Sequence, residues 1–213
     1  MRFETSVFVN CPFDDAYRPL LRPILFLIID IGMTPRIALE SLNSGAPRIG
    51  KIVELIKASR YAIHDLSRIQ AVAADEYYRM NMPFELGLDL GCALFGGRRW
   101  STKKCLILER ERYRFQAAIS DMSNSDIASH GDDPFRALGE VRNWLTTEER
   151  LKALPASAIW SRFEDFTATN CDQLEARGFT PAEIAALPIP ELVAEMTEWE
   201  SRHPPPNAGR PSP

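Results

Sequence analysis

A chain of 213 residues, 45% hydrophobic and 25% charged, is long enough to bury one substantial core with a helical appendage beside it. Its 25 basic and 29 acidic residues give a formal net charge of -4, which offers no electrostatic footprint for duplex nucleic acid and sets that partner aside. Cys11, Cys92, Cys105 and Cys171 form no C-x-x-C pair, and the histidines do not fall at zinc-ligand spacing. No metal centre is therefore expected, and reduced thiols in the cytoplasm are the default.

Arg2 and Glu4 precede only a short apolar run, so no secretory leader is expected at the start. "SVFVN" (Ser6–Asn10) is β-branched and aromatic, the mark of a buried strand. "CPFDD" follows as a turn, with Asp15 a candidate cap for a helix running toward Ile31. Pro19 suits a first turn, whereas Pro23 predicts a late start or a kink, and Gly32 ends the helix. The apolar run "LLRPILFLIIDIG" is too short to span a bilayer and reads as a core helix, so no membrane partner is expected.

"TPRIALE" (34–40) reads as a second strand and "SLNSGAPR" as a loop. In "RIGKIVELIKAS", Ile49, Ile52, Val53 and Ile56 share one helical face, with Lys51, Glu54 and Lys57 largely opposite. "RYAIHDL" (60–66) is a third strand. "KKCLILE" (103–109) is a fourth, after a helix opening near "MPFELG", and a further helix covers 133–149. Strands alternating with helices predict a doubly wound α/β domain with a mainly parallel sheet over residues 1–150. Residues 151–203 show helical pattern only, with Pro181 near a helix start, and read as a helical appendage. Residues 204–213 form a proline-rich tail expected to be disordered.

Ligands of an open parallel sheet bind beyond the carboxyl ends of the strands. There the first strand delivers Asn10, Phe13 and Asp14, and the third ends in "HDLSR", His64 to Arg68. The loop to Pro83 then leads to Glu85, expected in the first turn of the next helix. Phe84, Leu88, Phe95, Gly87 and Gly91 offer packing surface, leaving Glu85 and Asp89 on a different stripe.

The helix dipole lowers the pKa of a carboxyl so placed and burial raises it, so the sign of the net shift stays open. Glu85 also has a purely structural reading, as an anion at a helix end. Asp65 reads either as a site group or as a turn cap. His64 is expected half-buried and pointing away from Asp65. Arg68 reads either as a phosphate ligand or as a partner of Asp75 or Glu76.

"RYAIHDLS…NMPFELGLDLGCALF" resembles the strand–loop–helix core of nucleoside 2-deoxyribosyltransferase-like proteins. With "KIVELIKAS" before it, the segment is similar to Toll/interleukin-1 receptor (TIR) domains. The resemblance covers roughly residues 6–116, and its sharpest part is Phe84–Gly87. "VFVNCPFD" and "HDLSR" also resemble stretches of bacterial proteins, some of them tied to phage defence.

The resemblance implies a flavodoxin-like layout and cleavage of an N-glycosidic bond in a nucleoside, a nucleotide or NAD. It implies Glu85 as nucleophile or oxocarbenium stabiliser and Asp65 as the second catalytic group. Asn10, Phe13, Asp14, Ser67, Arg68 and Asn81 are implied as substrate-binding. Asn81 stands where the transferases usually carry a second aspartate, and the serine–tryptophan–cysteine signature of TIR domains is missing.

No cofactor is required by such chemistry; NAD would enter as substrate. The resemblance further implies a defence effector and a homo-oligomer, for which Trp160, Phe163, Phe166 and Trp199 are candidate contacts, or else intramolecular packing. The alternative function is a non-catalytic nucleotide-sensing or self-assembling signalling module of the same fold.

Overall fold

The computed structural model describes residues 2–40, 45, 47–69, 80–114, 119–122, 125–150 and 152–206. Asp75 and Glu76, most of the loop over 41–48 and the tail from residue 207 lie outside them.

Five strands, β1 (Ser6–Asn10), β2 (Thr34–Ile37), β3 (Tyr61–Asp65), β4 (Lys104–Glu109) and β5 (Ile127–Ser129), form one sheet in the order β2-β1-β3-β4-β5. Every pair is parallel. This is the doubly wound, flavodoxin-like α/β arrangement. Parallel strands need crossovers that cover both faces, so β1 and β3 are buried at every position. The fifth strand adds to the four expected; its three residues, "IAS", are too few to show a period.

Helices α1 (Arg18–Asp30) and α4 (Pro134–Glu149) cover one face; α2 (Arg48–Ala58) and α3 (Asn81–Phe95) cover the other. α5 (Ala156–Ala176), α6 (Pro181–Ala185) and α7 (Ile189–Arg202) follow, and α5 and α7 pack against α1. No helix among the described residues is long and apolar enough to cross a membrane.

Several local expectations change. α1 runs through Pro23 without a late start: the amide hydrogen that Pro23 lacks would have reached only the Pro19 carbonyl. Burial of most of the helix outweighs that single loss. Asp15 does not cap α1 but pairs with Arg18 at 2.9 Å, while Asp14 Oδ1 accepts the Tyr17 N–H at 3.0 Å. Gly32 ends α1 at φ +79°, as expected of a glycine just past a helix. β2 stops at Ile37, because the Glu40 carboxylate accepts the Ile37 N–H at 2.8 Å and folds Ala38–Glu40 into a 3-10 turn. In α2 the buried residues are Ile52, Leu55 and Ile56, with Ile49 left 45% exposed, so the apolar stripe is rotated from the one expected.

α3 differs most. It begins at Asn81, two residues before Pro83, because the first four amides of a helix have no intrahelical acceptor and a proline there loses nothing. Glu85 therefore sits one full turn inside the helix, not in its first turn. The stripe turned to the sheet is Met82, Glu85, Leu86 and Asp89, whereas Phe84, Leu94 and Phe95 are exposed. The expected docking face is thus the outer one. His64 on the sheet and Lys103 at the start of β4 supply partners for Asp89, and these contacts turn the acidic side inward.

Candidate active site

In the order β2-β1-β3-β4-β5 the chain reverses direction across the sheet between β1 and β3, the switch point beyond whose carboxyl ends ligands of such sheets bind. Register places Asn10 beside His64 there. Both project toward α3, because the side-chain period of two sends Val7, Val9, Ile63 and Asp65 to the opposite face. His64 is completely buried rather than half-buried, and it does point away from Asp65.

Asn10 ties these strand ends to the helix. Its Nδ2 donates to the Met82 carbonyl at 3.0 Å and lies 2.9 Å from His64 Nδ1. Because that amide donates, Nδ1 accepts and the His64 proton resides on Nε2, facing Asp89 Oδ2 at 3.4 Å. The other Asp89 oxygen lies 2.9 Å from Lys103 Nζ. Burial pushes the Asp89 carboxyl upward, but His64 and Lys103 hold it below its ordinary range. Asn10, His64, Asp89 and Lys103 thus form a buried polar line that clamps α3 to the sheet.

Glu85, one turn before Asp89, has no such support. It is 3% exposed, and no described residue forms a hydrogen bond or ion pair with its carboxylate. Burial raises its pKa to about 7, opposed in part by the charge of Arg48. The question of sign that sequence left open is answered by desolvation.

On the other side of β3, Asp65 is fully buried and highly engaged. Tyr17 Oη donates to its Oδ2 at 2.5 Å, and its Oδ1 accepts the Ser67 N–H at 2.8 Å. His130 Nε2 lies 3.1 Å from Oδ2 but off the axis of a good hydrogen bond. Nδ1 of His130 accepts the Asp132 N–H at 3.0 Å, so Nε2 carries the proton. Asp65 therefore does cap a turn, while also holding Tyr17. Burial and the Asp65 charge push the Tyr17 phenol well above its usual range, which keeps it a donor.

Cys11 joins the two halves. Burial, then Asp65, Glu85 and Asp14, push its thiol far upward, so it stays protonated and is no nucleophile. The same interactions place both carboxylates around this one side chain.

Of the residues singled out from sequence, Asn10, Ser67, Asp65 and Glu85 are buried at the strand ends. Asp14 borders them, Phe13 packs on the large core, and Arg68 is half-buried and close enough to act on Tyr17. Asn81 is exposed at the start of α3, and no contact among the described residues joins it to the carboxylates. Asn10 Oδ1 and Ser67 Oγ are buried with no partner among the described residues. Tyr17, His130 and Glu109 were not foreseen. Glu109 ends β4 fully buried; burial raises its pKa against the Arg110 amide and Arg114. Their sequence signal is positional: Glu109 and His130 each close or follow a strand at the carboxyl edge.

No group of three or more His, Cys, Asp or Glu among the described residues could hold a metal ion. Comparison with protein-family models, curated proteins and solved structures returns no match.

Proposed function

We propose that this chain cleaves N-glycosidic bonds, as hydrolase or transferase, in a nucleoside, a nucleotide or NAD, with Glu85 facing the anomeric carbon. The observation that carries the reading is a buried carboxylate with no partner cation among the described residues, its pKa raised to about 7 by desolvation near the carboxyl ends of β1 and β3. Such a group is unfavourable in the resting protein. Breaking the bond from sugar to base develops positive charge at the anomeric carbon, and that charge relieves the unpaired carboxylate. The interaction is stronger in the transition state than in the ground state, which is what acceleration requires. The ionised oxygen can also trap the carbon covalently, the base leaving with the bonding pair and water or a second acceptor releasing the sugar.

Asp65 is better suited to orienting than to attack, since its oxygens already hold Tyr17 and the Ser67 amide. The unpartnered Asn10 Oδ1 and Ser67 Oγ are the groups available to sugar hydroxyls. The engagement of Asp65 is also what favours the second reading, a nucleotide-sensing module in which these groups only grip a ligand.

Incubation of the purified chain with NAD and a panel of nucleosides and nucleotides, with chromatography of released base, separates the two. Release is expected, lost on the order of 10²–10⁴-fold in Glu85→Gln, with a rate that rises with pH through about 7 as the carboxylate ionises. Ligand bound unchanged, with Glu85→Gln weakening affinity alone, would establish the sensor instead.

A further inference from the structure

The outer face of α3 has the composition of an interior. Its only charged residues, Glu85 and Asp89, both point inward at 3% and 2% exposure, while Phe84, Leu94 and Phe95 stand 57%, 74% and 87% exposed. A helix apolar all round is normally covered on all sides. Between the exposed side chains lie Gly87 and Gly91. A methyl group at Gly87 would meet nothing within 4 Å, and one at Gly91 only the Phe95 ring of the same helix at 4.0 Å. Packing among the described residues therefore does not require either glycine, although each costs roughly 1 kcal/mol of helix propensity against alanine.

The geometry points to this face as a two-fold interface with a second copy of the chain, the two α3 helices packing antiparallel. The reason is that the exposed aromatics Phe84 and Phe95 stand at the two ends of the face, with Gly87 and Gly91 between them. Rotation about a two-fold between Asp89 and Leu90 sets Phe84 opposite the Phe95 position of the other copy. Leu88, partly buried against the α2 cluster, keeps an exposed edge that this rotation sets over Gly91 of the other copy. A surface that complements itself under rotation is what an isologous dimer needs. The three large side chains leave roughly 450 Å² in water at about 200 Å² apiece, hence about 900 Å² over two copies. With the glycine and Leu88 surfaces between them this reaches the roughly 1,000 Å² of a specific interface. The absence of charge on the face also spares a chain of net charge -4 from setting like charges against each other there.

Sedimentation velocity of the full chain should give twice the 24.1 kDa chain mass. Phe84→Lys and Phe95→Glu, both at exposed positions, should each sediment as a monomer with unchanged far-UV circular dichroism. Mixed one to one, they should return to the dimer mass, because the antiparallel register sets the new lysine against the new glutamate and leaves the second Phe84–Phe95 contact native. A monomeric wild type, dimers that survive either substitution, or a mixture that stays monomeric would each overturn the interface as drawn.

Discussion

Burial lifts the folded-state pKa of Glu85 to about 7 from an ordinary 4.5, so the folded chain binds this proton more tightly than the unfolded one. Its contribution to stability is full below about pH 4.5 and is lost as the pH rises through about 7. Glutamine imitates the protonated acid. Glu85→Gln should leave the melting temperature unchanged at pH 5 and raise it at pH 8 by roughly 3–6 °C, from about 1–2 kcal/mol after allowing for residual solvent screening. Thermal melts at the two pH values check this, and a variant less stable at pH 8 would show that the carboxylate has a stabilising partner. Asp89, four residues on, has the opposite sign. Its pKa is depressed, so its contribution is present above the ordinary carboxylate range and lost as the pH falls through the folded value. Lys103→Met leaves that buried charge half-compensated and should cost about 3–5 kcal/mol. Adding Asp89→Asn should recover most of the loss, as denaturant unfolding of the two variants can measure.

Among the elements, α3 carries both the Glu85 carboxylate and the Asp89 that clamps the helix to the sheet, and Asn10 joins it to the sheet at the helix start. Asn10→Ala strands one buried acceptor, His64 Nδ1, and removes a second donor from the Met82 carbonyl, which keeps its bond within α3. At about 1–3 kcal/mol for an unsatisfied buried group, the variant should lose roughly that amount in urea unfolding. Four strands and the major helices were legible because apolar runs of β-branched residues and 3.6-residue spacing reflect local burial. α3 was misread for a physical reason. It is apolar on both sides, so periodicity could not say which side meets the sheet, and the answer lay in His64 and Lys103, distant in sequence. The same limit hid the site's second half. Asp65 and Glu85 could be marked from strand ends and resemblance, but Tyr17 and His130 become neighbours of Asp65 only once β5 and α1 are in place. β5 itself offers three residues, too few for any pattern.

For the molecule as a whole, the C-terminal helices bear directly on the sheet's own core. Phe26 of α1 lies 5.7 Å, centroid to centroid, from each of Phe163, Phe166 and Trp199. Ile159, Leu174 and Met196 are fully buried in the same cluster as Val7 and Ile63. Polar contacts follow the same course: Arg162 Nε donates to Asp30 Oδ1 at 2.7 Å, and Arg22 reaches the Ala185 carbonyl at 2.8 Å. The aromatics Trp160, Phe163, Phe166 and Trp199 are therefore engaged within the chain, Trp160 against Phe135 and Phe163. Each fully buried apolar side chain contributes about 1.5–3 kcal/mol, so the contacts across the junction are large beside the marginal net stability of a typical domain. The two parts should accordingly unfold together. Far-UV circular dichroism, which reads all the helices, and tryptophan fluorescence, which reads Trp100 and Trp144 beside the sheet and Trp160 and Trp199 in the C-terminal helices, should give one coincident thermal transition. Removal of residues 151–213 should leave α1 uncovered and the remainder without a cooperative melt. Two separated transitions, or a truncated chain that melts sharply on its own, would show instead that the sheet domain holds its core without the appendage.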